Sequence, residues 1–459
     1  MSAREEFSVE GQRVTVVGAA RSGIAAAELL TRRGARVVLS DSRPTLSDAE
    51  RQRLEDAGVS LELGGHGAEA FERADLIVLS PGVPPEIQTV ASARAKGTPV
   101  IGEVELAFRW LQGRVIAVTG TKGKSTTTSL IGRMLHEAGR LVTVGGNIGA
   151  PLSAQVEEST PDTLHVVEVS SFQLETIERF RPWIAVMLNF SPDHLDRHGT
   201  VEAYAAAKRR IFENQRPDDV AVVNADDEPA MRLSAATEAV RLLFSRRGHP
   251  SADTRVEEGW VVFRGSEGAI ERLLPLSSVR LLGPHLVDDV LAAATVARVA
   301  GVPPSAMVAA VERFGGLEHA MELVADIDGV RFVNDSKATN VEAAVRSIES
   351  FPGGVVAIIG GKYKGGDLRL LRTPLGGRGK AVVAIGESKV LVREALDDVI
   401  AVHDASSMEE AVAVAFELAK PAGVVVLAPA CASFDMFRDY AERGHRFKDA
   451  VQRLVDSRA

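Results

Sequence analysis

The sequence contains a single cysteine, Cys431, among its 459 residues. One cysteine excludes internal disulfide bonds and a thiolate metal cluster, and it agrees with a reducing compartment. Long apolar runs are also missing, since no stretch approaches the roughly 18 residues that a membrane-spanning helix needs. The N-terminal segment MSAREEFSVEGQ is charged and lacks the apolar core of a secretory signal. We therefore expect a cytoplasmic protein that has no membrane partner.

Basic residues are not in excess either. The chain has 53 Lys and Arg against 62 Asp and Glu, a formal net charge of −9. This balance argues against a nucleic-acid partner, although a local basic pocket for phosphate is compatible with it. The 45% hydrophobic and 25% charged contents are typical of a globular protein. At roughly 150 residues per domain, the length predicts two to four domains, and we expect three.

Apolar strand patterns alternate with helical patterns along most of the chain, which predicts an α/β fold. We expect a Rossmann-like N-terminal domain over residues 1–103. A central P-loop ATPase-like domain over 104–316 would hold a mostly parallel sheet, with a small β excursion near 241–282. A second Rossmann-like domain would cover 317–459.

A glycine loop follows the apolar run of the segment VIAVTGTKGKSTTTS, residues 115–129. Backbone N–H groups of such a loop and of the next helix point at an anion, while Lys124 can reach the outer phosphates and Ser125 can ligate magnesium. The general pattern GxxxxGK[ST] would need glycine at Val118, so this loop is shorter. It predicts a site for a nucleoside triphosphate, with an ordinary strand-to-helix turn as the alternative.

Two further residues suit magnesium chemistry at that site. Glu168 ends the predicted strand 165–169 at the edge where α/β sheets bind ligands, so it could share one ion with Ser125. The alternative is a structural carboxylate. After the next strand, the turn DHLDRH precedes a helix in which apolar residues surround Lys208. By composition this turn could also be a helix cap, but a lysine held near a metal would need its charge removed.

The first domain shows weaker signs of a nucleotide site. Its first turn, GAARSG at residues 18–23, lacks the middle glycine of GxGxxG. Asp41 follows the second strand, where it could accept a ribose hydroxyl, and Arg43 could meet a phosphate. A helix cap and a solvated arginine are the alternative. A third strand ends in the tight turn Ser80-Pro81-Gly82.

Three polar turns follow strands of the last domain. In VNDSKATNVEAA, Thr339 or Asn340 can cap the next helix, whereas Asp335 and Lys337 suit a phosphoryl group and its metal. GGKYKGGD and APACASFDMFRDY resemble pocket loops. Lys364 of the first can meet a carboxylate and Ser433 of the second can donate a hydrogen bond, whereas Phe434 and Phe437 are expected in the core.

Seven strings in this order resemble the Mur ligases of peptidoglycan synthesis, over essentially the whole chain: GTKGKST, GGNIG, EVSSFQLE, DHLDRH, AAAKRRIF, NDSKATN and PACASFD. NDSKATN and ACASFD favour the family member that adds D-glutamate. The resemblance implies that ATP phosphorylates the carboxylate of UDP-N-acetylmuramoyl-L-alanine and that the amine of D-glutamate displaces the phosphate. It also implies two Mg²⁺ ions and a carbamylated Lys208, and we expect a monomer.

The resemblance assigns roles residue by residue. ATP contacts are implied for Gly120, Thr121, Lys122, Gly123, Lys124, Ser125 and Thr126. Metal contacts are implied for Ser125 and Glu168 at the first ion, and for His194 and Lys208 at the second. Catalytic roles are implied for Lys124, Glu168, His194, Lys208, Asp335 and Lys337. UDP-substrate contacts are implied for Asp41, Ser42, Arg43, Ser80, Gly82 and Asn147. D-glutamate contacts are implied for Thr339, Lys364, Ser433 and Tyr440.

Two departures from the family pattern fall on its adenosine side. Relatives often carry HNxxN where this chain has HLVDD, ending in Asp289, and many carry arginine where it has Ala320. The alternatives are another Mur ligase, a folylpolyglutamate synthase-like ligase, and a nucleotide-binding regulator without turnover.

Overall fold

A computed structural model of the chain describes residues 7–265, 268–279 and 285–458. The strands form three sheets, and helices connect most of the successive strands. This arrangement confirms the predicted α/β class with three layered regions. The described residues form two compact units, the first up to Val279 together with Val287–Val311, and the second comprising 285–286 and the residues from Glu312 onward.

The first sheet has five strands in the order β3-β2-β1-β4-β5, all parallel. Its strands are β1 Arg13–Val17, β2 Arg36–Asp41, β3 Ser60–Leu63, β4 Leu76–Leu79 and β5 Val100–Gly102. Its helices are α1 Arg21–Arg32, α2 Asp48–Asp56, α3 Ala68–Glu72 and α4 Gln88–Ala95. The order reverses beside β1, so the turns after β1, β2 and β4 meet at a switch point, where such sheets bind ligands.

The second sheet has nine strands in the order β14-β13-β12-β11-β10-β9-β6-β8-β7. Its strands are β6 Arg114–Thr119, β7 Val142–Gly146, β8 Leu164–Glu168, β9 Ile184–Met187, β10 Val220–Asn224, β11 Val240–Ser245, β12 Thr254–Glu257, β13 Trp260–Arg264 and β14 Ile270–Pro275. The helices of this part are α5 Glu103–Phe108, α6 Lys124–Glu137, α7 Ser171–Leu174, α8 Leu195–His198, α9 Val201–Arg209, α10 Glu228–Leu233, α11 His285–Val299 and α12 Pro304–Glu312.

Strands β6 to β12 pair in parallel, whereas β13 pairs antiparallel with both β12 and β14. The antiparallel strands are the expected β excursion, of which 266–267 and 280–284 lie outside the described residues. Strand β6 lies between β8 and β9, with Val118 opposite Glu168 and Thr119 opposite Met187. The loops that follow these three strands therefore meet at one edge.

The third sheet has six strands in the order β15-β16-β20-β17-β18-β19, parallel except for β15. Its strands are β15 Glu322–Ile327, β16 Val330–Asn334, β17 Val355–Gly360, β18 Gly379–Ile385, β19 Val402–Asp404 and β20 Gly423–Leu427. Its helices are α13 Val341–Glu349, α14 Arg372–Arg378, α15 Lys389–Leu396, α16 Met408–Ala419 and α17 Tyr440–Asp456. Leu427 pairs with Asn334 on one side and Ile358 on the other, so the three polar turns of this domain share one edge.

The sheets occupy 13–102, 114–275 and 322–427, within the three predicted segments, and the boundaries at 103/104 and 316/317 stay predictions. Both faces of the central strands are buried, which explains their continuous apolar runs. None of the described helices has both the length and the apolar character needed to cross a membrane.

Candidate nucleotide and substrate site

The glycine loop after β6 is a strained turn that leads into α6. Gly120 has φ 156° and Gly123 has φ 81°, values that favour glycine. A Cβ atom at Gly123 would lie 2.1 Å from Oδ1 of Asp289. Because the first N–H groups of a helix have no partner within it, the loop and Ser125 with Thr126 can cradle an anion.

The amine of Lys124 folds back over this loop. Its Nζ donates to the carbonyl oxygens of Gly120, at 3.1 Å, and Thr121, at 3.0 Å. A lysine in this position lies where negative charge on a bound phosphate would be neutralised. Lys122 is exposed beside it.

Glu168 and Ser125 are in direct contact, as a shared magnesium site requires. Ser125 Oγ donates to Oε2 of Glu168 at 2.5 Å, and Asn147 Nδ2 donates to Oε1 at 2.7 Å. Glu168 is only 2% exposed. A hydroxyl and a carboxylate at the mouth of a phosphate loop are hard oxygen donors, so these side chains fit Mg²⁺.

Lys208 is buried beside the same loop, with 1% exposure, and its Nζ donates to Gly120 O at 2.7 Å. Burial and, to a smaller extent, the charge of Lys124 lower its pKa to about 7, against the opposite effect of Asp193 and Glu168. An amine that is largely neutral can react with carbon dioxide, whereas an ammonium cannot. The environment therefore fits carbamylation, which would convert this amine into an oxygen ligand.

His194 lies beside Tyr204, whose ring Lys208 also contacts. Its ring centroid is 6.2 Å from that of Tyr204, and Lys208 Nζ is 4.9 Å from the same Tyr204 ring. The side chain of His194 is half exposed and its backbone has φ 52°. The neighbouring His198 is held instead by Ser171 and Glu175, so His194 is the histidine available to a ligand.

All six residues predicted to contact the UDP substrate line one cavity of about 440 Å³: Asp41, Ser42, Arg43, Ser80, Gly82 and Asn147. Asp41 accepts from the backbone N–H of Ala19 and pairs with Arg43 at 3.2 Å. Burial acts to raise the pKa of Asp41, but Arg43 and the two backbone donors outweigh it and lower that pKa. Since Asn147 also contacts Glu168, the cavity adjoins the phosphate loop.

The four residues predicted to contact D-glutamate lie on the shared edge of the third sheet. Lys362 of the turn after β17 pairs with Ala432 of the turn after β20, and Ala430 N donates to Ala338 O at 3.0 Å. These two contacts join the turns that carry Thr339, Lys364 and Ser433, and Tyr440 begins α17 nearby. Ser433 is buried, Thr339 is half-buried, and Lys364 and Tyr440 are exposed.

Asp335 and Lys337 point to different surroundings. The Asp335 carboxylate accepts from Ser347 Oγ and from Met321 N, and burial raises its pKa. Lys337 is exposed. The structure therefore gives Asp335 a role in holding its own turn, and leaves Lys337 accessible to a ligand. Asn340, not Thr339, caps α13, through a 2.8 Å bond from Ala343 N.

The expectation that Phe434 is in the core is wrong, since 66% of it is exposed. Its neighbour Asp435 turns back and accepts from Glu387 N at 2.9 Å, so the chain places Phe434 on the outside. Phe437 is partly buried against the core, as expected.

Sequence reasoning missed two residues of the site. Asn189, two residues beyond β9, accepts from Thr121 N at 3.1 Å and Lys122 N at 2.9 Å, which fixes the loop backbone. Its position after a core strand was an available signal. Gln173, which lines the 440 Å³ cavity, forms a capping box with Ser170 and carried no distinctive signal.

The structure also places the residues that depart from the family pattern. Asp289 lies against Gly123, is 4% exposed, and burial with the charge of Asp288 raises its pKa well above the ordinary value. Leu286 is buried. Ala320 closes a tight turn, its N–H donating to Leu317 O at 3.0 Å.

Comparison with known families gives three matches. Residues 12–102 match the "Mur ligase MurD-like, N-terminal domain", residues 118–297 the "Mur ligase middle domain", and residues 320–431 the "Mur ligase, glutamate ligase domain".

Proteins named UDP-N-acetylmuramoylalanine--D-glutamate ligase are similar along nearly the full length. The one from Acidobacterium capsulatum is 49% identical, covering 97% of each chain, and the one from Koribacter versatilis is 46% identical, covering 98% of this chain and 99% of the other. Among solved structures, UDP-N-acetylmuramate-alanine ligase MurC from Thermotoga maritima has a TM-score of 0.57 at 18% identity, covering 97% of this chain and all of that one. The last likeness concerns the fold alone.

Proposed function

Because the chain belongs to the Mur ligase family, we propose that it adds D-glutamate to UDP-N-acetylmuramoyl-L-alanine in peptidoglycan synthesis, with cleavage of ATP to ADP and phosphate. The observation that carries this proposal is the contact chain Ser125–Glu168–Asn147. It joins the phosphate loop to the substrate cavity, so a carboxylate at the mouth of the cavity lies near the phosphate to be transferred.

The first step activates a poor electrophile. A carboxylate oxygen of the alanine residue attacks the γ-phosphorus of ATP, the bond to the β,γ-bridging oxygen breaks, and ADP leaves. The loop from Gly120 to Thr126 holds the phosphates through its backbone N–H groups, and Asn189 fixes that loop. Lys124 stabilises the charge on the transferred phosphoryl group.

The second step forms the amide. The neutral amine of D-glutamate attacks the acyl carbon, phosphate departs with the electron pair of the acyl C–O bond, and the nitrogen loses a proton. We assign D-glutamate to Thr339, Lys364, Ser433 and Tyr440, whose turns meet at one sheet edge. The exposed Lys337 can meet a phosphate oxygen or a carboxylate.

Two metal positions belong to the proposal. Ser125 with Glu168 would hold one Mg²⁺, and His194 with carbamylated Lys208 the second, where the ions neutralise charge on the phosphates when bound. The burial of Lys208 and its pKa of about 7 support the carbamate. We further propose that the protein is a monomer and that it acts in the cytoplasm, where ATP is available.

The test is phosphate release from ATP by the purified chain. Release should require both D-glutamate and UDP-N-acetylmuramoyl-L-alanine, and L-alanine, L-lysine or folate substrates should not replace them. Release with another amino acid would indicate a sister ligase. Binding of ATP with no release under any combination would indicate a regulator and refute the ligase.

Glu168→Gln is the informative variant of that assay, because it removes a negative charge while keeping oxygen and nitrogen in place of the two carboxylate oxygens. We expect it to lose phosphate release while ATP binding persists. Glu157→Gln is the matched control, since Glu157 lies in the same part of the chain but is exposed and pairs with Arg33. A Glu168→Gln variant with full turnover would contradict the site.

A further inference from the structure

Arg443 on α17 is a buried arginine, with 1% exposure, in the second compact unit. Within the described part of the chain, its three hydrogen bonds all go to uncharged oxygens. Nε donates to Ser336 Oγ at 3.0 Å, Nη2 to Ser336 O at 2.9 Å, and Nη1 to Cys431 O at 3.0 Å. The planar guanidinium therefore grips two separate stretches of backbone at fixed angles.

Those two stretches are the turns that carry the assigned amino-acid contacts. Ser336 lies three residues before Thr339, and Cys431 lies two before Ser433. Ser336 Oγ in turn donates to Tyr440 O at 2.7 Å, which adds the start of α17 to the same network. The position of Arg443 thus sets the distance between Thr339 and Ser433.

Because the Arg443 guanidinium is both charged and buried, a purely structural role would cost free energy of folding. Burial lowers the pKa of Arg443 only to about 10, against the opposite effect of Cys431 and of the Asp435 carboxylate, so the side chain stays cationic at neutral pH, and its described hydrogen bonds include none to a carboxylate. A buried ion without a direct bond to an opposite charge is unfavourable, and apolar residues commonly replace buried charged groups without loss of stability. A positive charge beneath these two turns does, however, favour an anionic amino acid above them.

We propose that Arg443 is a positioning residue for the amino-acid substrate, holding the Ser336 and Cys431 turns at the spacing that a carboxylate-bearing amino acid requires. This inference rests on the proposed function. Arg443 touches neither D-glutamate nor ATP in this scheme, and acts through Thr339 and Ser433.

The test is steady-state kinetics of Arg443→Lys. Lysine keeps the positive charge but cannot bridge both turns, so we expect KM for D-glutamate to rise about tenfold, equivalent to about 1.4 kcal/mol. KM for ATP and for the UDP substrate should stay within about twofold, since neither is assigned to these turns. Arg446→Lys is the matched control, because Arg446 is an exposed arginine one turn further along the same helix.

If Arg443→Lys does not fold, as judged by circular dichroism, a second variant tests the same role. Ser336→Ala removes one acceptor and the link to Tyr440, and we expect a smaller rise in the same KM. An unchanged KM for D-glutamate, or equal rises in all three KM values, would overturn the positioning role. Absence of D-glutamate-dependent turnover in the unmodified enzyme would instead refute the proposed function.

Discussion

The buried His165 should make the folded protein measurably less stable in mild acid. It is wholly buried on β8, the strand that ends at Glu168. One ring nitrogen is 2.8 Å from Thr143 Oγ1 and the other 2.8 Å from Ser159 Oγ, so a neutral imidazole satisfies both. Burial lowers the pKa of His165 to about 4, against an ordinary value of 6.5.

The sign and size of the effect follow from linkage. Between these two pKa values the unfolded chain binds a proton at His165 and the folded chain does not. The stability associated with the neutral ring is therefore complete above pH 6.5 and is lost as the pH falls towards 4. Between about pH 7.5 and about pH 5, the free energy of unfolding should fall by about 2 kcal/mol from this residue alone.

Urea denaturation at both pH values, followed by tryptophan fluorescence, measures this change. The three tryptophans, Trp110, Trp183 and Trp260, all lie in the first compact unit with His165, so their signal reports its unfolding. His165→Gln offers both hydroxyls a polar partner without a titrating group. Between the two pH values, its free energy of unfolding should therefore fall by about 2 kcal/mol less than that of the unmodified protein.

The control is His403→Gln, which alters an exposed strand histidine on β19. Its free energy of unfolding should depend on pH in the same way as that of the unmodified protein. Equal losses of stability in the unmodified protein and in His165→Gln would refute the reasoning.

Three further predictions concern activity. Lys208→Ala should lose nearly all phosphate release and regain part of it with short carboxylic acids such as acetate, and full activity without them would reject a metal role. Asp289→Asn should leave ATP affinity within about twofold in calorimetry, because burial raises the pKa of Asp289 and already favours its neutral form, and binding tightened about tenfold would contradict this. Asn189→Ala should raise KM for ATP about tenfold, because the Lys122 N–H loses its acceptor and Thr121 N keeps only the Asn189 carbonyl, and an unchanged KM would exclude that support.

The central strands and the phosphate loop were predictable because each is a local pattern. β6, β8, β9 and β10 are buried apolar runs, and β8, predicted over 165–169, lies one residue earlier, at Leu164–Glu168. Strands β3, β5, β7, β15 and β19 were not predicted. All five are edge strands of their sheets, and in β3, β7, β15 and β19 exposure weakens the apolar pattern.

The contacts within the site depend on sheet order, which the sequence does not express locally. Asn189 reaches the loop only because β9 pairs with β6, and Asn147 reaches Glu168 only because β7 pairs with β8. The resemblance to a family predicted Asn147 as a substrate contact, but not its bond to the carboxylate. Asp335 shows a different case, since its short spacing to Lys337 suggested a shared phosphoryl site, and the structure buries Asp335 and leaves Lys337 exposed. The shared site stays a prediction.

The changes at Leu286, Asp289 and Ala320 raise the question whether the chain binds nucleotide without turning it over. Binding alone needs a phosphate loop and a cation, which Lys124 supplies. It gains nothing from Lys208, because burying a second amine beside Lys124 is unfavourable for both charges. That arrangement becomes favourable when the second amine carries an oxygen group able to hold a metal. The buried Lys208 therefore favours a catalytic enzyme over a regulator. The three departures concern how the adenine base is held.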